Sequence, residues 1–195
     1  MTENINASEE ALRQGFKQFN RFMLLLWRLG LGLWVNAWPK VFGRIMVLTH
    51  TGRKSGKRYR TPVNYAIVDG QIYCTAGFGS ISDWYRNILA NPNVEIWLPR
   101  GWWRGVVDEV IDPQVRLALL RQVLIASGFA TFTAGINPYT ISDENLDKVT
   151  SEYKLLHIQP VQACTGDNGP GDLSWVWPLA TMLLLPLVLR RRKKR

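Results

Sequence analysis

Asp69-Gly70 stands between two short runs of strand-forming residues, and no other feature narrows the fold so far. Asp-Gly accepts the left-handed backbone of a two-residue hairpin turn, so residues 60–68 and 71–76 are predicted to pair antiparallel. Residues 45–51 form a short buried strand that ends at Gly52. Residues 94–98 and 102–111 make a second hairpin around Pro99-Arg100-Gly101, and residues 154–161 a final strand. Between them, residues 82–90 form a helix with Ser82 as its cap and Asn91-Pro92 as its end, and Asp112-Pro113 opens another that runs to about Ser127. Residues 128–145 match neither period. Six short, mostly hairpin-connected strands with two or three helices predict an α+β chain built on a small antiparallel β-barrel. A length of 195 residues holds one such domain with appendages.

The appendages are at the two ends. Residues 9–38 carry a helical pattern with Ser8 as N-cap, Pro39 as stop and Gly30 and Gly32 as breaks. Arg13, Lys17, Arg21 and Arg28 fall within an arc of about 80°. Phe16, Phe19, Phe22, Met23, Leu26, Leu29 and Leu33 fill much of the remainder. Two readings stand together: an interfacial amphipathic helix with Trp27 and Trp34 as its anchoring rings, or a helix that covers the core. At the other end, residues 173–189 are 17 positions without a charge, with Trp175 and Trp177 near one border and six consecutive basic residues beyond the other. A helix of that length reaches about 25 Å, short of the roughly 30 Å of a bilayer's hydrocarbon. The segment, interrupted by Pro178 and Pro186, reads as a membrane-attached tail, with a helix packed on the domain as the alternative.

Charge follows the same division. Of 24 basic residues, six lie at 190–195, and the remaining 18 nearly balance 15 acidic ones. That distribution favours an anionic membrane surface over nucleic acid, whose binders spread positive charge across a folded face. The expected organisation is an amphipathic helix at 1–39, a barrel at 40–162, a linker at 163–172 and an apolar tail at 173–195. The first fifteen residues are polar and acidic, so no cleavable signal peptide is expected and the cytoplasmic face of a membrane is the expected place. Cys74 and Cys164 match no metal or redox spacing, and Cys74 reads as a small core hydrophobe.

Chemistry concentrates in one segment, Thr51-Gly52-Arg53-Lys54-Ser55-Gly56-Lys57-Arg58-Tyr59-Arg60-Thr61-Pro62. Arg53, Lys54, Lys57, Arg58 and Arg60 place five cations within eight positions. Glycines around them let backbone N–H groups converge on an anion, although a solvated hairpin turn has the same composition. The spacing is not that of a P-loop, since Gly52 to Gly56 is one residue short and Arg58 stands where a metal-binding hydroxyl belongs. No Ser-His-Asp set or metal cluster is present. His157 reads as structural.

The order T-G-R-K-S-G-x-x-x-R-T-P, then an Asp-Gly hairpin, then Asp83-Trp84-Tyr85-Arg86-Asn87-Ile88-Leu89-Ala90-Asn91-Pro92, resembles the deazaflavin (F420)-dependent nitroreductase family. The resemblance covers about residues 47–112. It implies a split β-barrel of the FMN-binding type with flanking helices, and hydride transfer from reduced coenzyme F420 to an apolar quinone-like or nitroaromatic acceptor. Arg53, Lys54, Ser55 and Gly56 would then hold the coenzyme's phosphate and acidic tail, with Thr51 and Gly52 in the same cofactor-binding set; Arg60, Thr61 and Pro62 would continue its groove, and Trp84 and Asn87 would flank it. Two positions depart from the pattern. His50 replaces a small hydroxyl residue, as either a catalytic acid or a partly buried structural group, and the loop at 77–82 lacks a lysine. Tyr139 is a candidate for the acceptor pocket, against an ordinary loop aromatic. Two other readings remain: an FMN-dependent enzyme, and a non-catalytic barrel that binds a lipid or fatty acid. Either monomer or homodimer fits.

Overall fold

The computed structural model describes the backbone of residues 2–192 and the side chains of residues 14–185 other than Phe16. Six strands close into one barrel in the spatial order β1-β2-β3-β6-β5-β4. They are β1 (Ile45–Thr51), β2 (Arg58–Val68), β3 (Gln71–Ala76), β4 (Asn93–Leu98), β5 (Gly101–Glu109) and β6 (Lys154–Ala163). Every neighbouring pair is antiparallel, and closure leaves no free sheet edge. This is the split barrel with flanking helices that the sequence predicts. The turn at Asp69 and Gly70 takes φ values of 49° and 77°, the left-handed pair that a two-residue hairpin demands.

Strand alternation sends side chains to two places. Met46, Leu48, Val63, Tyr65, Ile72, Ile96 and Ile158 fill the barrel with Cys74, whose thiol burial pushes up to about 12. Helix α4 (Asp83–Ala90) adds Tyr85 and Ile88 to that interior. The opposite faces of β2 and β3 are roofed by α5 (Pro113–Ala126), whose Leu120, Val123 and Leu124 meet Ala66 and Leu155. Asp112 caps α5 by accepting the Gln114 N–H at 2.9 Å. The stretch that matched neither period contains α6 (Phe129–Thr133) and the start of α7 (Asp143–Val149).

A second outer layer covers β1 and β4, and here the sequence expectation needs correcting. Helix α1 spans Thr2–Arg28, so Ser8 lies inside it and not at its cap. It ends there because Gly30 turns left-handed with φ 80°. The short helices α2 (Gly32–Asn36) and α3 (Pro39–Phe42) follow, and Pro39 opens α3 instead of stopping a long helix. Trp27 is 1% exposed and packs with Val47 and Trp97, and Met23 packs with Val35 and Ile45. Trp27 is therefore a core residue, not an interfacial ring; Trp34, at 71% exposure, remains outside. The side chains of Arg13 and Phe16 lie outside the described residues.

The C-terminal segment returns across this layer. The backbone N–H groups of Gly171 and Leu173 donate to the carbonyls of Trp27 and Arg28 at 3.0 and 2.8 Å. Arg28 pairs with Asp172 at 3.0 Å, and the Trp177 indole donates to the Leu29 carbonyl at 2.8 Å. Helix α8 (Val176–Arg192) starts from this anchorage. Among the described residues no helix is long and apolar enough to cross a membrane. The side chains of the basic run at 190–195 lie outside them.

Candidate functional site

The cationic loop between β1 and β2 folds back on itself and clasps α4. Gly52 N–H donates to the Lys57 carbonyl and Gly56 N–H to the Gly52 carbonyl, both at 2.8 Å. Gly56 has φ 65°. At Gly52 an added Cβ would lie 2.5 Å from the Tyr59 ring, so any side chain there would push that ring aside. Arg53 is not a free cation. Its guanidinium bonds the Asp83 carboxylate and the Asn87 Oδ1, each at 2.9 Å, and its backbone N–H donates to the same Asn87 oxygen at 3.1 Å. Asp83 and Asn87 are one helical turn apart, so a single face of α4 receives the whole arginine. The Arg53 bond holds the Asp83 carboxyl below the usual carboxylate range.

Beneath the clasp sits His50, 3% exposed. Its Nδ1 faces the Asn87 amide nitrogen at 3.3 Å and its Nε2 the Thr61 hydroxyl at 3.1 Å. Tyr59 stacks over the imidazole with centroids 6.1 Å apart and reaches Ser55 Oγ at 3.1 Å. Burial lowers the His50 pKa to about 4, so the ring is neutral at pH 7.

The structure divides the expected residues. Gly52, Arg53, Lys54, Ser55, Gly56, Thr61 and Asn87 gather at one mouth of the barrel. Trp84, half-buried on α4, packs against the barrel interior beside them, and Thr51 closes the β1–β2 ladder opposite Arg58. Arg60 and Pro62 belong to the other face of β2. Pro62 is paired with Val47, and the Arg60 guanidinium lies 4.6 Å from the Trp97 ring centre and donates to the Asn168 carbonyl at 2.7 Å. Tyr139 is elsewhere again. It borders a cleft of about 610 Å³ with Lys40, Arg44, Ile67 and Phe132. Ile67 is near the far end of an eleven-residue strand, about 30 Å from the cationic loop. A second cleft of about 360 Å³ lies on the outer face among Arg58, Glu95, Trp102 and Cys164. Neither is lined by residues 52–56 or Thr61.

Lys57 is missing from the expected set, although it is one of the five cations of the segment; it immediately precedes β2 and follows the left-handed Gly56. Lys54 and Lys57 are exposed and form no ion pair among the described residues, whereas Arg58 pairs with Glu95. Of the loop amides, those of Lys54 and Ser55 are left without a protein acceptor among the described residues. The mouth thus offers two ammonium groups, two amides and a threonine hydroxyl, while Arg53 neutralises its nearest carboxylate. Such a donor set suits a ligand rich in phosphate or carboxylate oxygens.

The buried imidazole also makes a prediction about stability. Below about pH 6.5 the unfolded chain's His50 takes up a proton that the folded chain refuses until about pH 4. Stability is therefore lost as pH falls through that window, by an amount on the order of 2 kcal/mol from this group. Urea unfolding at pH 7 and pH 4.5 should show the decline in the wild type and a smaller one in His50→Gln. Equal declines would remove His50 as its source.

The model of the F420H(2)-dependent quinone reductase family matches residues 31–137. No curated protein matches the sequence. Among solved structures, a conserved hypothetical protein from Mycobacterium tuberculosis is similar with a TM-score of 0.46 and 19% identity, covering 61% of this chain and 74% of that one. An F420-H2 dependent reductase has a TM-score of 0.42 and 19% identity, over 59% and 93%. A putative 5-nitroimidazole antibiotic resistance protein from Bacteroides thetaiotaomicron has 0.43 and 15%, over 62% and 75%.

Proposed function

The chain belongs to the F420H(2)-dependent quinone reductase family, and we propose that within it the protein reduces an apolar quinone-like or nitroaromatic acceptor at a membrane surface. It is an oxidoreductase, and its coenzyme is F420. The bound reduced deazaflavin supplies the hydride. The protein's part is to bind, to orient and to keep water out. Lys54, Lys57 and the amides of Lys54 and Ser55 hold the acidic tail. Thr61 faces the ring-bearing part of the groove, and Trp84 with Asn87 walls it on the α4 side. The observation that carries this assignment is the mouth built almost wholly of donors, with Arg53 and Asp83 cancelling one another inside it.

Membrane association is supported by exposed apolar side chains on the helices outside the barrel. Phe22 and Leu25 of α1, Leu33 and Trp34 of α2, Phe42 of α3 and Met182 to Leu185 of α8 are all open to solvent. Trp38, just before α3, is 62% exposed. Tryptophan rings of this kind settle at the headgroup level of a bilayer. The test is flotation with phosphatidylglycerol vesicles, coupled to oxidation of reduced F420 by a lipid-embedded and by a water-soluble naphthoquinone. Wild-type protein should float. Trp34→Ser/Trp38→Ser should float severalfold less and lose rate with the embedded quinone only. Wild-type protein that stays in the aqueous fraction would end the membrane reading and leave the reductase.

A further inference from the structure

We propose that His50 is a positioning residue that turns the Thr61 hydroxyl into a hydrogen-bond donor aimed at an oxygen of the bound coenzyme. This rests on the reading of the barrel mouth as the coenzyme site. The argument begins two residues away. Asn87 Oδ1 receives two N–H groups from Arg53, at 2.9 and 3.1 Å. The Asn87 oxygen is thereby fixed toward Arg53, and its amide nitrogen is what faces the imidazole. An amide nitrogen can only donate, so His50 Nδ1, 3.3 Å away, must accept. A neutral imidazole has one proton, which is left on Nε2.

Nε2 lies 3.1 Å from Thr61 Oγ1 and donates to it. The hydroxyl has now accepted on the His50 side, so its own hydrogen is free to point elsewhere. No other described residue shares a hydrogen bond with it. Thr61 is half-buried on the face of β2 that looks into the mouth, whereas His50 is covered by Tyr59 and is too deep to touch a ligand. Burial keeps the ring neutral down to about pH 4, so a single tautomer persists across ordinary conditions.

The chain of commitments therefore runs Asp83, Arg53, Asn87, His50, Thr61, from the surface carboxylate inward and back out to the mouth. Its outward end matches the ligand. The phosphate, carboxylate and ring-carbonyl oxygens of a deazaflavin coenzyme accept hydrogen bonds and have none to give. A threonine left to itself could present either a lone pair or a proton; one held by Nε2–H presents the proton. No bond is made or broken and no proton is transferred. What His50 contributes is orientation, which removes a rotational choice before the ligand arrives.

Two measurements on the full-length protein test this. Long-range 15N NMR of the ligand-free protein should show His50 as the Nε2–H tautomer; an Nδ1–H tautomer would overturn the proposal. Fluorescence titration with F420 should show about tenfold weaker binding for Thr61→Val and for His50→Leu. The double variant should bind no more weakly than Thr61→Val alone, because His50 acts only through that hydroxyl. His50→Gln sets an amide N–H near the same place and should recover most of the affinity in a protein whose fold is checked by its melting curve. Losses that multiply in the double variant, or a His50→Gln protein that folds but binds as weakly as His50→Leu, would overturn the proposal while F420 uptake by the wild type stands. Wild-type protein that takes up no F420 would remove the site reading and this proposal together.

Discussion

Removing the two unpaired ammonium groups of the barrel mouth, in Lys54→Ala/Lys57→Ala, should weaken F420 binding by about 100-fold or more at low salt. Charge-assisted hydrogen bonds to phosphate contribute about 1.5–3 kcal/mol each, and two such losses multiply to that range. The protein's stability should hardly change, since neither side chain has an ion-pair partner to lose among the described residues. The gap between wild type and variant should narrow as salt rises, because exposed charges are screened over about 10 Å at 0.1 M. Arg53→Ala should behave differently. It frees the Asp83 carboxylate beside the ligand and takes from Asn87 Oδ1 one of its two donors, leaving the backbone N–H, so it should reduce melting temperature as well as affinity. Fluorescence titration at two salt concentrations, with a melting curve for each variant, separates the two. Undiminished affinity in the double lysine variant would remove the anion-binding assignment of the loop.

The largest effect on stability is expected at Trp27. Its ring is 1% exposed between Val47 and Trp97, with ring centroids 6.5 Å from Trp97, and it joins α1 to both β1 and β4. Trp27→Ala should cost about 3–5 kcal/mol, from lost burial and from the cavity left under a helix that cannot collapse onto a closed barrel. In a chain of this size that lowers the melting temperature by about 10–15 °C. Trp27→Phe should cost far less. The indole N–H is buried and finds no acceptor among the described residues, so its removal returns part of what the smaller ring loses. Differential scanning calorimetry of the two variants decides it. If they melt together, the contribution of Trp27 is not packing.

These two sites also mark how far a sequence can be read. The barrel was legible because its signals are local: Asp69-Gly70 makes its turn from two residues, and Asp112-Pro113 starts α5 from two more. The loop was legible as a collection of cations but not as a division of labour. Arg60 and Thr61 are neighbours in sequence and belong to opposite sides of a strand, a separation that the period of two already contained. What Arg53 does was beyond local reading, since its partners lie 30 and 34 residues on and meet it only when α4 closes the barrel mouth. Trp27 misled for a different reason. A tryptophan suits a membrane interface and a protein core equally well, and only the register of α1 against Val47 and Trp97 chooses. Tyr139 sat in a segment with no clear period, and its position at the far end of β2 follows from how α5 and α6 pack.

The last turn of α1 has a consequence for the order in which the molecule is assembled. A helix leaves its final carbonyls without partners of its own. Here those of Trp27, Arg28 and Leu29 are met by Gly171, Leu173 and Trp177, so the bond at Leu29 spans 148 residues of chain. During synthesis the ribosome must therefore deliver the whole barrel, whose last strand ends at Ala163, before that turn can be sealed. Until then the nascent protein carries an unfinished seam along its outer layer.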